Sequence, residues 1–259
     1  MSSEKFLDKK SLKKLDRELE ALISRIGIDR KTQDEVFDKS TLSTFEKLIS
    51  DRVIDILDFP ISTGKEGNVF RGITPDKSLV AIKVYRVSTS TFKHISKYIL
   101  GDPRFKSLSK NRRDIIHAWT KKEYKNLQRA KRIGINAPRP IKSINNVLVM
   151  EYLGSKNLPA PLMKDVELKN PQKTFDTIIN FISKMYKDAE LVHGDVSAFN
   201  VLMHKNKPYI IDFGQGVLVE HPNSLEFLKR DIYNIVSYFK RLGVKADEIK
   251  IFEEITKKS

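Results

Sequence analysis

The feature that most restricts the fold is a lysine set inside an apolar, β-branched run, Leu79-Val80-Ala81-Ile82-Lys83-Val84-Tyr85. Such a run reads as a strand, and strand alternation turns Lys83 to the face opposite Ile82. A buried or half-buried lysine there needs an anion, because an unpaired ammonium in apolar surroundings is costly. Nucleotide phosphates and one carboxylate would supply it; the competing reading is an ordinary edge-strand lysine. The run is the return strand of a hairpin opened by Ser62-Thr63-Gly64-Lys65-Glu66-Gly67-Asn68-Val69-Phe70. Gly64-x-x-Gly67 is weak alone, since two glycines in a turn are common. It is not a P-loop, because Gly64-Lys65 is followed by Glu66 and not by Ser or Thr.

A carboxylate for Lys83 is available on the helix predicted over 111–133, which stops at Gly134. Glu123 stands there amid Lys121, Lys122, Lys125 and Arg129; it either meets Lys83 or relieves repulsion through i,i+3 and i,i+4 pairs. The strongest local motif is His193-Gly194-Asp195-Val196-Ser197-Ala198-Phe199-Asn200-Val201-Leu202. An Asp and an Asn five apart on a tight loop suit phosphoryl transfer, one carboxylate orienting the nucleophile and one amide oxygen binding Mg²⁺. Seventeen residues after Asp195, the strand Ile210-Ile211 ends in Asp212-Phe213-Gly214. Mg²⁺ takes hard oxygen ligands and keeps waters, so Asn200, Asp212 and ATP phosphates suffice.

Composition removes other chemistries. The 259 residues allow one large or two small domains, and the absence of cysteine excludes disulfides and Cys-zinc sites. No His-Glu-x-x-His pattern occurs, no apolar run spans a bilayer, and no apolar leader opens the chain, so a cytoplasmic, non-membrane protein is expected. The net charge is +15, and residues 93–132 alone carry thirteen Lys/Arg against three acids. That block suits a polyanion such as RNA, or is simply a solvated helix face. Further helices are predicted over 8–24, 40–52, 171–190 and 224–242, buried strand character over 147–150, and a long polar loop over 86–110. Trp119 and Tyr124 read as packing residues and His193 as a structural hydrogen-bonding residue.

The ordered set of glycine loop, strand lysine, helix glutamate, Asp…Asn loop and strand-end Asp resembles the protein-kinase superfamily. Within it, the chain is similar to the Rio family of atypical kinases, first subfamily. The resemblance spans roughly residues 30–245 and rests further on Asp38-Lys39-Ser40-Thr41, Gly101-Asp102-Pro103-Arg104-Phe105, Trp119-Thr120-Lys121-Lys122-Glu123-Tyr124, Val149-Met150-Glu151-Tyr152 and Leu191-Val192-His193-Gly194-Asp195. Two departures from ordinary kinases are Ser62 in place of the first loop glycine and the lack of Ala-Pro-Glu after Asp212, with 47 residues remaining.

The resemblance implies an α+β, two-lobed protein-kinase-like fold. An N-terminal helical extension (1–60) would precede an antiparallel-sheet lobe (61–150, with a flexible loop 86–110) and a reduced helical lobe without an activation loop (151–259). By the same resemblance Asp195 is catalytic, Asn200 and Asp212 bind metal, and Lys83 with Glu123 orients phosphates. Ser62, Thr63, Gly64, Lys65, Glu66, Gly67, Asn68 and Val69 would cover the triphosphate. The Glu151 carbonyl and Leu153 N–H would bond adenine, with Met150 behind it. ATP and Mg²⁺ (or Mn²⁺) are the implied cofactors, Ser107 and Ser109 the implied autophosphorylation sites, and the pre-ribosomal small subunit with its rRNA the implied partner. Asp212 would be both metal ligand and, in an ATPase cycle, phosphoryl acceptor. The alternative is a small-molecule phosphotransferase of the aminoglycoside or choline kinase type.

Overall fold

The computed structural model describes residues 38–64, 67–86, 95, 98–99, 102–105 and 111–257. The helix expected over 8–24 and the candidates Lys65, Glu66, Ser107 and Ser109 lie outside the described residues. The first described element is α1 (Lys39–Ser50), whose start is fixed by Asp38, its side chain accepting the Thr41 N–H at 2.8 Å. Thr41 and Thr44 face inward and accept the Asn146 and Asn145 side-chain amides, both at 2.9 Å. The Asp38-Lys39-Ser40-Thr41 motif is thus a helix cap and a tie to the turn between two strands.

Those strands belong to a five-stranded sheet: β1 (Ile56–Thr63), β2 (Gly67–Ile73), β3 (Leu79–Tyr85), β4 (Pro140–Ile144) and β5 (Val147–Glu151). The spatial order is β1-β2-β3-β5-β4 and every pairing is antiparallel. A division at residue 60 therefore falls within β1. Alternation sorts the two faces. Val80, Ile82, Val84, Val147 and Val149 pack with Phe45 and Leu48 of α1, whereas Tyr85 and Leu148 join the larger core on the opposite face. Lys83 goes with Tyr85, as the period of two requires.

Between β3 and β4 runs α2 (Arg112–Arg132), capped by Asn111. Ahead of it, where the sequence reads as polar loop, Ile95, Tyr98 and Ile99 are helical and buried. Their i, i+3, i+4 spacing is the apolar signal that the surrounding lysines and serines obscure. The second lobe holds α3 (Pro171–Ala189), β6 (Leu191–Val192), β7 (Val201–His204), β8 (Lys207–Ile210), β9 (Val217–Leu218) and α4 (Ser224–Lys240). A further helix not expected from the sequence, α5 (Glu248–Thr256), is capped by Asp247 and packs on α3 and α4. Among the described residues no helix is long and apolar enough to cross a membrane.

Leu48 has no exposed surface and joins α1 to the sheet. Leu48→Ala is expected to lower unfolding free energy by about 2–5 kcal/mol in a denaturant titration, through lost burial and a cavity.

Candidate active site

A cleft of about 530 Å³ lies where the two lobes meet. Its floor and walls come from Ser62, Gly64, Gly67 and Val69 on the β1–β2 hairpin, Lys83 on β3, Glu123 on α2, and Met150 to Leu153 where the chain leaves the sheet. Asn200 and Asp212 enter from the second lobe. At Gly67 a Cβ would stand 2.4 Å from the Val84 carbonyl oxygen, so only glycine lets β2 start this close to β3.

Lys83 is at the centre. Its Nζ donates to Asp212 Oδ1 at 2.8 Å and to Glu123 Oε1 at 3.1 Å. Burial by itself pushes this ammonium down, but the Asp212 and Glu123 carboxylates together hold it well above the ordinary lysine value. Asp212 is opposed by burial too, yet the Lys83 charge and hydrogen bond hold its carboxyl below the usual range. Asp212 occupies the left-handed region with φ 65°, which places its side chain at the end of β8 facing back into the cleft. The Lys83 anion inferred from sequence is thus two carboxylates, one from each lobe.

The second group centres on Asp195. Asn200 Nδ2 donates to the Asp195 carbonyl at 2.9 Å and to its Oδ2 at 2.8 Å, and Gln215 Nε2 reaches the same Oδ2 at 3.3 Å. Two amides therefore aim this carboxylate. The loop backbone is held from behind by Asp231 on α4, a fully buried acid that the sequence reading missed. Its two oxygens accept the Gly194 N–H at 2.7 Å and the Val196 N–H at 2.8 Å. Burial pushes its carboxyl up to about 7, against the two N–H donors that favour the charged form. Arg230 bonds the Gly194 carbonyl from the same helix. The available signal was an acid on the apolar stripe Leu228, Ile232, Ile235, where a charge needs a partner.

His193 is structural. Its Nδ1 accepts the Asp195 N–H at 3.3 Å and its Nε2 faces the Ile211 carbonyl at 3.1 Å. That pairing selects the neutral tautomer with the proton on Nε2, and burial lowers its pKa to about 4. Trp119 and Tyr98 pack their rings 6.1 Å apart inside the core, in keeping with a packing role for Trp119.

Not every candidate lines the cleft. Asn68 is buried, with its side-chain oxygen accepting from Arg86 at 3.2 Å, and Thr63 is outside the lining. Glu151 Oε2 accepts the Arg139 N–H at 3.1 Å. The Leu153 carbonyl accepts the Ala160 N–H at 2.9 Å. Phe199, Leu162, Leu202 and Ile211 also line the cleft. No charged or glycine signature marks them in sequence, which is why they were not singled out.

Asn200 and Asp212 offer one amide oxygen and one carboxylate, hard donors suited to Mg²⁺. Among the described residues no group of three or more His, Cys, Asp or Glu could hold a metal. Two protein oxygens fit a cation that brings its other ligands with a bound phosphate.

The sequence model of the RIO domain matches residues 68–251. The chain belongs to the RIO family of serine/threonine-protein kinases. The RIO-type kinase Rio1 of Methanocaldococcus jannaschii is 41% identical over 258 residues, 98% of this chain and 88% of that protein. Rio1 of Haloferax volcanii is 40% identical over 226 residues, 87% of this chain and 78% of that one. Human RIO1 is 37% identical over 247 residues, 93% of this chain but 44% of the human protein. Among solved structures, the Rio2 kinase–ADP/Mg²⁺–phosphoaspartate complex of Chaetomium thermophilum matches with a TM-score of 0.64 at 18% identity, over 84% of this chain and 66% of that one. That similarity supports the fold expected of a RIO protein: a sheet lobe, a helical lobe and the cleft between them.

The protonation state assigned to His193 has a direct readout. In an NMR titration of the ring protons, one histidine should keep the neutral shift from pH 8 down to about pH 5, because its burial lowers the pKa to about 4. A midpoint for His193 near the ordinary histidine value would contradict the lowering of its pKa by burial.

Proposed function

We propose that this RIO chain transfers the γ-phosphoryl group of ATP in a Mg²⁺-dependent reaction, with Asp195 as the group facing the acceptor. The observation that carries the reading is the Lys83 ammonium, held at 2.8 Å from Asp212 and 3.1 Å from Glu123 at the floor of the inter-lobe cleft. Lys83, steadied by Glu123, orients the phosphates. Ser62, Gly64, Gly67 and Val69, which line the cleft, would cover them, and Glu151, Leu153 and Met150 would receive adenine. Asn200 and Asp212 would hold Mg²⁺ (or Mn²⁺), which supplies charge neutralisation on the phosphate oxygens. The acceptor hydroxyl oxygen attacks the γ-phosphorus, its proton passes to the Asp195 carboxylate, and the bond to the bridging oxygen breaks with ADP leaving. Positioning and electrostatics provide most of the acceleration.

A second reading keeps the same pocket. Asp212 is the acceptor: a carboxylate oxygen bonds to phosphorus, ADP departs, and water later hydrolyses the aspartyl phosphate, so ATP turnover works as a switch. It is favoured by the name of the matched Rio2 structure, a phosphoaspartate complex, and by the Asp212 side chain being 36% exposed. This cycle would serve small-ribosomal-subunit maturation, and the exposed basic residues Arg112, Arg113, Lys121, Lys125, Lys131 and Arg132 of α2 would meet rRNA. Autophosphorylation would fall on Ser107 or Ser109. The small-molecule phosphotransferase alternative has less support, because the relatives are named protein kinases.

Radiolabelled ATP separates the readings. Asp195→Ala should lower phosphotransfer to serine by about 10²–10⁴-fold, the usual range for a general base, while binding Mg-ATP normally. Asp212→Ala should lose both turnover and the contribution of Mg²⁺ to binding. Label released from the wild type by hydroxylamine would mark the aspartyl phosphate, and acid-stable label would mark serine transfer. Turnover by Asp195→Ala at the wild-type rate would overturn the main assignment. For the rRNA contact, the logarithm of the binding constant should fall linearly with that of salt concentration, with a slope of about −0.7 per phosphate neutralised on single-stranded RNA.

A further inference from the structure

Glu123 and its neighbour Lys122 leave α2 toward different partners. Glu123 reaches Lys83; Lys122 reaches the loop that follows Asp212. The Lys122 side chain has no exposed surface, and its Nζ donates to the Gly214 carbonyl at 2.8 Å. The ammonium lies 4.7 Å from the Trp119 ring centroid and 5.9 Å from that of Tyr98. No carboxylate lies within ion-pair distance of it among the described residues: Asp102, the acid that acts on it, is held by Arg104 at 2.6 Å. Burial holds its pKa well below the ordinary lysine value, the mark of an amino group that rests on a carbonyl and two ring faces at a cost. A methionine of similar length would fill the space at less cost, so packing alone does not account for a lysine.

What the ammonium grips is informative. The same helix holds the same loop twice more, Asn126 Nδ2 donating to the Phe213 carbonyl at 2.9 Å and to the Gly216 carbonyl at 2.8 Å. Arg104 braces Asn126 from behind, through its Oδ1 at 2.9 Å. Trp119 lies so close that a Cβ on Gly214 would stand 3.0 Å from its ring. Three carbonyls of the six-residue segment between β8 and β9 are therefore bonded to side chains of α2, and the helix that carries Glu123 is fastened to the loop that carries Asp212.

We propose that Lys122 is a positioning residue that clips the Asp212 loop to α2, so that Glu123 and Asp212 present their carboxylates to Lys83 and the metal as one rigid unit. This rests on the reading of Asp212 as a metal ligand. Lys122 acts through Gly214 and touches neither nucleotide nor acceptor. Its removal loosens the loop while Lys83, the glycine loop and the adenine edge stay in place. The effect falls on the Mg²⁺-dependent part of nucleotide affinity and spares the metal-free part.

The test is calorimetric titration of the full chain with ADP, in EDTA and in Mg²⁺, for the wild type and Lys122→Met. The variant should bind ADP in EDTA within about twofold of wild type but lose about tenfold of the affinity gained on adding Mg²⁺, the scale of lost outer-shell support at a metal site. Amide hydrogen exchange at Phe213 to Gly216 should rise in the same variant without nucleotide. If Lys122→Met does not fold, Gly214→Ala, which pushes the loop off Trp119 from the other side, should give the same split. A variant that keeps the full Mg²⁺ gain, or loses affinity equally in EDTA and Mg²⁺, overturns the proposal. A wild type that gains nothing from Mg²⁺ overturns instead the metal reading beneath it.

Discussion

The Lys83 ammonium binds the two halves of this molecule to each other chemically. It sits on a strand of the sheet lobe, takes one carboxylate from a helix of that lobe and another from the end of a strand in the second lobe. A buried pair of this kind is poor evidence for stability as such, since desolvation consumes much of the attraction. Its value is positional. An ammonium deprived of either acid would be left undercompensated in a cleft that water only partly reaches, so the geometry in which all three meet is favoured over any in which the lobes slip. The fold around it can be understood as the means of bringing residues 83, 123 and 212 within 3.1 Å of one nitrogen.

The Asp195 loop solves a different problem. It has little regular structure, and its backbone donors need acceptors. Asp231 supplies them from α4, one oxygen to each of two N–H groups, while Asn200 and Gln215 aim the Asp195 carboxylate from the front. His193 adds a third support as a neutral ring joined to both the loop and the end of β8. Placing two buried polar side chains, Asp231 and His193, behind a loop with a half-buried carboxylate is expensive, and the arrangement is tolerable because their polar atoms find partners.

Much of this was legible in the chain. Apolar runs and turns marked β3, β5, α2, α3 and α4 to within about two residues, and the spacing of residues 195, 200 and 212 marked the site, because charged side chains inside apolar patterns demand partners. What escaped detection lacked such a mark or was outvoted by it. Ile95, Tyr98 and Ile99 are too few apolar residues among too many lysines to announce a buried helical turn. Asp231 was not singled out, because one acid within an amphipathic helix carries only a faint mark of burial in the sequence. Lys122 was counted with Lys121 and Lys125 as part of a basic face, although one residue of helical rotation, about 100°, separates a solvated lysine from a buried one. Cleft-lining apolar residues such as Leu162 and Leu202 are defined only by what folds against them.

Charge balance explains why a cation would have to arrive with the nucleotide. Lys83 offsets one of its two acids, so the described residues that line the cleft carry more carboxylates than ammoniums. A triphosphate entering alone would meet repulsion that the glycine-loop amides and one lysine cannot cancel. A cation would meet only one carboxylate and one amide oxygen, too few to displace its hydration shell. Each is a poor ligand without the other, and together each supplies what the other lacks: phosphate oxygens for the metal, positive charge for the phosphates. On the proposed reading, a site built this way would favour the metal–nucleotide pair over either component and would make the position of Asp212 decisive. That gives physical sense to the number of hydrogen bonds with which α2 fastens the loop behind it.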